Sequence, residues 1–426
     1  MACTVGLANL GWSVVGNDIQ LERIEKLRRG ITPYRESGIE DLLRTHLASG
    51  QIRFEDSLER AASDADVIII AVGTPSRDDG SADLSALHQA ISQLAQLEFR
   101  SFPTIVIRST VPPGTSDRIA AEINDWAAVV YTPEFLREGS AVTDFMNPDR
   151  IVIGTESTAA AFPYVRLFEQ LQKPVVFTSR CNAELIKGCS NAFLALKVTF
   201  ANEVANLCDA TGAVADDVLR GIGYDHRIGR HFLVPGIGFG GPCFTKDLKS
   251  IRHIATQLNT GSNLFDATLR TNDAQPKRIV DVLEALLPSL GGAEIGVWGL
   301  SFKGGTDDLR DSLALIVLDE LSRRGAKTNV FDPAVHIAEL PPGSRLVKSA
   351  LDATEADALV VVTDWPQFAE IDPSAVKARL RQKLVIDGRN VLDAERYREE
   401  GVEYYGVGRP NVVKATVPSQ NVAAYP

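Results

Sequence analysis

Two parts of this chain carry short continuous apolar runs, and a long stretch with apolar residues at helical spacing lies between them. The first part holds DVIIIAVGTP (66–75) and TIVIRSTVPP (104–113), then shorter runs at 128–132, 151–154 and 175–178. Unbroken apolar runs of this length mark strands buried on both faces of a parallel sheet. The middle part is helical from about 180 to 272, and residues 183–210 keep their helical spacing well past the usual 8 to 20 residues. So long a helix predicts a span between domains or an interface with a second copy. After Pro276 a second series of runs, at 294–302, 327–332, 357–363 and 383–387, alternates with helical stretches. The pattern therefore predicts an α/β fold, two Rossmann-like doubly wound domains joined by a long central helix region. The expected division is 1–179, 180–275 and 276–426, and the tail after Arg409 reads as irregular and mobile.

The opening of the chain breaks that pattern. Residues 2–10 read as helix and 12–18 as a strand ending in Asp18, which is the second half of a βαβ dinucleotide unit. A strand-end acid either bonds a ribose 2′-OH or caps the next helix. No strand and no G-x-G-x-x-G stand ahead of the helix. That absence would strip a central strand from the sheet and remove the turn that holds a pyrophosphate. Two readings follow. Either an internal methionine has been taken as the start and about 12 to 20 residues lie upstream, enough for one strand and its turn, or the chain is a variant that has lost its cofactor cradle.

Composition narrows the class. The 426 residues are 45% hydrophobic and 23% charged, ordinary for two or three globular domains. No apolar run approaches the roughly 18 to 20 residues that cross a bilayer, and the first residues do not read as a signal peptide. Five cysteines without regular spacing point away from a disulfide framework and toward a reducing cytoplasm. A net charge of -11 points away from nucleic acid, although local phosphate capture remains open.

Candidate chemistry gathers at a few places. Gly236-Ile237-Gly238-Phe239-Gly240-Gly241-Pro242-Cys243-Phe244-Thr245-Lys246-Asp247 sets one cysteine behind four glycines and ahead of a lysine and an aspartate. Glycines at that density predict backbone open to a ligand. Cys243 is then either a nucleophile activated by its neighbours or a small packed side chain. Lys187 and Asn191 stand four apart on the long helix and project together, where polar groups need partners. Cys189 and Cys208 on the same helix read as core packing. Glu134 and Glu138 would share a face if 133–139 is helical. The turns at Thr74 and at Ser109-Thr110 end buried strands, where open α/β sheets bind ligands, and hydroxyls also form routine turns there. Lys303, Arg310 and Arg389 fall in expected loops of the last domain, suited to phosphate or to solvent. The turn at 299–303 lacks dinucleotide spacing, and no metal-ligand cluster stands out.

Taken in order, Gly73-Thr74-Pro75, Ser109-Thr110-Val111-Pro112-Pro113-Gly114, Pro133-Glu134-Phe135-Leu136-Arg137-Glu138-Gly139-Ser140, Glu184-Leu185-Ile186-Lys187, Ser190-Asn191-Ala192-Phe193, the 236–247 loop, Phe302-Lys303 and Ile386-Asp387-Gly388-Arg389 resemble the nucleotide-sugar 6-dehydrogenases, most closely the UDP-glucose branch. Any one of these motifs is weak, but eight in one order are specific. The resemblance implies oxidation of a sugar C6 alcohol to an acid with two NAD per turnover, through a thiohemiacetal and thioester on Cys243. It implies that Lys187 stabilises oxyanions, with Asn191 and Asp247 as partners and Asp247 as a base acting through water. It gives Glu134, Glu138 and Thr110 to water and substrate handling. Asp18, Thr74, Thr110 and Glu138 fall to the cofactor, and Phe232, Leu233, Gly240, Lys303 and Arg389 to the UDP-sugar. Arg227 matches an arginine that reaches a neighbouring subunit's substrate, implying at least a homodimer. Pro242 replaces the family's usual serine, Thr245 a common proline, and Val234 a position polar in some members, which leaves GDP-mannose and UDP-N-acetylhexosamine as alternative substrates. A non-catalytic nucleotide-sugar-binding chain is the other class of function.

Overall fold

The computed structural model describes residues 1–409, so the tail beyond Arg409 lies outside the described residues. The chain forms two compact units, Met1–Ala192 with Lys246–Ser262, and Phe193–Thr245 with the chain from Asn263 onward. Each is built on parallel sheet.

In the first unit β3 (Val67–Ile70), β4 (Thr104–Ile107), β5 (Ala128–Tyr131), β6 (Ile151–Gly154) and β7 (Val175–Thr178) lie side by side in that order. All neighbours are parallel except β5 and β6. Along β4 the side chains alternate between faces, Ile105 and Ile107 packing with Leu87, Ile91 and Ile119, and Val106 with Leu7, Phe145 and Tyr164. Both faces are covered, which is why the run reads as unbroken apolar sequence. The ladders stop at Ile70 and Ile107, sooner than the apolar runs suggest, because the chain turns into loops at the strands' carboxyl ends.

The helix Ala2–Asn9 precedes β1 (Val14–Asn17), as the sequence predicts. β1 pairs only with β2 (Ile52–Glu55), in a sheet separate from β3–β7. Sequence reading passed over β2, although Ile52 and Phe54 are buried on either side of exposed Arg53, the alternation of a half-buried strand.

The second unit carries β8 (Glu294–Trp298), β9 (Lys327–Phe331), β10 (Ser344–Leu346), β11 (Ala358–Val361), β12 (Leu384–Asp387) and β13 (Glu403–Gly406). Their order, β10-β9-β8-β11-β12-β13, is the doubly wound 3-2-1-4-5-6 arrangement, parallel throughout. Two apolar clusters, one around Val297, Val317 and Val360 and one around Trp298, Phe368 and Tyr397, cover its faces. The chain thus contains two Rossmann-like α/β parts and a helical region between them in sequence.

Three expectations need correction. The long helix runs Arg180–Thr211 as foreseen, but Cys189 on it is exposed, so only Cys208 packs in the core. The next long helix, Asn263–Leu286, continues through buried Pro276 where the helical region was expected to end. Residues 133–137 belong to no helix or strand and 138–139 form a turn, so Glu134 and Glu138 share no helix face.

Candidate active site

The first unit brings a polar cluster together at the carboxyl end of β5. Lys187, with a side chain only 4% exposed, donates from Nζ to the Glu134 carbonyl at 2.6 Å and to Glu134 Oε1 at 3.2 Å. Glu134 Oε2 accepts the Leu136 N–H at 2.7 Å. Burial pushes the Glu134 carboxyl up, yet the Lys187 charge, the Leu136 N–H and the Arg108 charge outweigh it and hold the carboxyl below its usual range. One helical turn on from Lys187, Asn191 Nδ2 donates to Asp247 Oδ2 at 2.5 Å, and Lys246 Nζ donates to Asp247 Oδ1 at 2.7 Å. Asp247 is almost fully buried, so both carboxylate oxygens depend on these partners. The i, i+4 spacing of Lys187 and Asn191 delivers what it predicted.

A second buried carboxylate shapes the loop that carries Thr110. Glu184, one turn before Lys187, accepts the Gly114 N–H at 2.5 Å and the Ser116 N–H at 2.8 Å. It thereby caps the Thr115–Ile123 helix, whose own N-cap residue, Gly114, has no side chain to do so. Thr74 Oγ1 donates to the Thr110 carbonyl at 2.7 Å, and Ser109 Oγ to the Val72 carbonyl at 2.7 Å. These hydroxyls lock the two carboxyl-end turns to each other. Glu184 was visible only as part of a motif, and its spacing from Lys187 on one helix face was the signal for its role.

In the second unit the glycine-rich loop proves closed against its own chain, not open to a ligand at every amide. Asn202 Oδ1 accepts the Gly236 N–H, Asn272 Oδ1 accepts the Phe239 N–H, and the Asp311 carbonyl accepts the Gly241 N–H. A Cβ at Gly240 would stand 2.6 Å from the Asp311 carbonyl oxygen, and one at Gly241, where φ is +84°, 2.6 Å from the Phe302 ring. The glycines are therefore required by close packing, which corrects the reading of an uncovered backbone. Asn202, Asn272 and Gln275, which donates to the Gly236 carbonyl, hold this loop and were missed. Buried amides on otherwise apolar helix faces were the available signal. Cys243 follows the glycines, exposed, one residue before the Phe244–Gln257 helix that carries Asp247 in its first turn.

The remaining residues of the second unit scatter around this loop. Arg389 donates to the carbonyls of Val362, Gly238 and Phe302, so its guanidinium braces the loops, and burial holds its pKa below the ordinary value. Lys303 lies with its ammonium 5.6 Å from the Phe302 ring centre. Leu233 is buried, and Phe232 adopts φ +65°, a strained conformation for a bulky residue. Arg227 is exposed and forms a two-pronged pair with Asp225.

A dinucleotide finds suitable groups in the first unit. Asp18 stands just past β1, its carboxylate accepting the Gln20 N–H at 2.9 Å and pairing with Arg23 at 2.7 Å. Asp18 does not cap the Leu21–Arg28 helix, whose N-cap residue is Gln20, and its place after the strand is compatible with the ribose role. With Thr74 and Thr110 at the carboxyl ends, this donor set fits NAD. Among the described residues no group of His, Cys, Asp and Glu could hold a metal ion.

Comparison with known proteins agrees across the chain. Residues 1–172 match the NAD binding domain of the UDP-glucose/GDP-mannose dehydrogenase family, 181–274 its central domain and 296–394 its UDP binding domain. A UDP-glucose 6-dehydrogenase of Rhizobium meliloti is 40% identical over 422 residues, covering 96% of each chain. One from Bacillus subtilis is 38% identical, covering 97% of this chain and 96% of that one. Among solved structures, a UDP-glucose dehydrogenase from Pyrobaculum islandicum superposes with a TM-score of 0.88 at 37% identity, covering 96% of this chain and 95% of that one.

Proposed function

The chain belongs to the UDP-glucose/GDP-mannose dehydrogenase family, and from that premise we propose that it oxidises C6 of UDP-glucose to UDP-glucuronate with Cys243 as the nucleophile. The observation that carries the reading is the buried Lys187–Glu134 and Asn191–Asp247 cluster, with Cys243 four residues ahead of Asp247. NAD, when bound, accepts a hydride in each of two successive oxidations.

The protein's own groups do the rest. In the first oxidation the C6 hydroxyl gives up its proton as the C–H bond breaks, and Asp247 relays that proton through water. The Cys243 sulfur then adds to the aldehyde carbon, forming a thiohemiacetal and keeping the intermediate in place. After the second oxidation the carbon is a thioester. Water adds to it, the C–S bond breaks, the thiolate leaves and a carboxylate remains. Lys187, a fixed cation with little access to water, stabilises the oxyanions that form along this path. Glu134, Glu138 and Thr110 orient substrate and water. Asp18, Thr74, Thr110 and Glu138 hold the cofactor, and Phe232, Leu233, Gly240, Lys303 and Arg389 the UDP-sugar. We assign 1–179 to cofactor, 180–275 to catalysis and dimerisation, and 276–426 to UDP. The work is done in the cytoplasm for polysaccharide biosynthesis, by at least a homodimer in which Arg227 reaches the partner's substrate.

The test is stoichiometric. The wild type reduces two NAD per UDP-glucose consumed, and Cys243→Ala or Cys243→Ser forms no acid. Acid production by Cys243→Ala at the wild-type rate would sink the nucleophile assignment.

A further inference from the structure

Glu36 is a buried carboxylate with no assigned task. It lies between the Leu21–Arg28 and Ile39–Ala48 helices, 8% exposed, about a hundred residues upstream of what it touches. Its Oε2 accepts the Gly139 N–H at 2.7 Å and its Oε1 the Ala141 N–H at 3.0 Å. The second bond caps the Ala141–Met146 helix, whose own N-cap residue, Ser140, makes no capping bond. On the other side of Glu138, Asp144 accepts from the Arg137 backbone N–H at 2.8 Å and from its guanidinium at 2.6 Å and 3.0 Å. Glu138 therefore sits on a turn fixed at both flanking residues. Gly139, at φ +82°, makes the reversal that a side chain would strain.

We propose that Glu36 is a positioning residue that sets the direction of Glu138 by chelating the Gly139 and Ala141 backbone amides, the first and third after it. The proposal rests on the reading that Glu138 handles water or cofactor. Bonds from N–H groups to a carboxylate are about twice as strong as neutral ones, and losing them leaves two donors unsatisfied beside the site.

The test uses the full-length enzyme with NAD and UDP-glucose, and the variants E36A, E36Q, E138Q and the double variant E36A/E138Q. Thermal unfolding establishes that each is folded. Misplacement of a catalytic group by about an ångström costs up to about a hundredfold, so E36A should lower kcat roughly ten- to a hundredfold while KM for UDP-glucose hardly moves. E36Q should recover part of the loss, because its amide oxygen can accept one of the two N–H groups. In the E138Q background, E36A should cause no further loss. An impaired E138Q with E36A at the wild-type kcat, or with additive losses in the double variant, overturns the proposal. E138Q at the wild-type kcat instead overturns the role given to Glu138.

Discussion

At the scale of single residues, the site is a set of buried charges made tolerable by fixed partners. Glu134 shows the consequence for pH. Its folded pKa is lowered from 4.5 against the effect of burial, mainly by Lys187. A carboxyl with a depressed folded pKa contributes stability above its unfolded value and loses it as pH falls through the folded value. The stability gap between wild type and Glu134→Gln, measured by urea unfolding, should therefore be full at neutral pH. It should shrink as pH drops below about 4.5, and a gap that widens on acidification contradicts this account. Residue types and spacing singled out Lys187, Asn191 and Cys243 in the sequence, and the structure gives Lys187 and Asn191 the buried partners that their spacing called for. Glu36 was not legible there, because its partners stand about a hundred positions away and no local pattern marks a carboxylate that caps a distant helix.

At the scale of elements, the Arg180–Thr211 helix carries two different sets of side chains along its length. Its first half supplies Glu184, Lys187 and Asn191. Farther along it, Phe193, Phe200 and Leu207 recur every seven residues and are 62%, 49% and 65% exposed. An exposed apolar stripe at that spacing suits a second copy of the chain. Burying a large apolar side chain is worth about 1.5–3 kcal/mol, so a charge on the stripe should cost much of the association. Phe200→Glu should lower the mass measured by sedimentation at micromolar concentration, and an unchanged mass would remove this helix from the interface. The glycine-rich loop teaches the opposite lesson. Its composition was read as openness to ligand, but glycine serves equally where backbone approaches backbone, and only the positions of Asn272, Asp311 and Phe302 tell the two apart.

At the scale of the whole molecule, two doubly wound parts are present, and they differ. In the second, strand order is complete, and Asp332 after β9 accepts from Leu300 N–H, Ser301 N–H and the Ser301 hydroxyl. The acid that a dinucleotide domain would offer to ribose is thus turned onto its own first loop, in accord with a UDP rather than a dinucleotide domain. In the first, β1 pairs only with β2, and β3, at the edge of the five-stranded sheet, only with β4. Substrate choice also belongs to this scale. UDP-glucose should exceed GDP-mannose and UDP-N-acetylglucosamine in kcat/KM, and a preference for either of the others in parallel assays would reassign the substrate. The sequence by itself determined the two α/β series and the long helix, because strand burial and helical spacing are local along the chain. Only the tertiary structure decided which carboxylate holds which loop and why the glycines are needed. Those facts depend on atoms brought together from distant positions, where a hydrogen bond or a missing Cβ leaves no periodic trace.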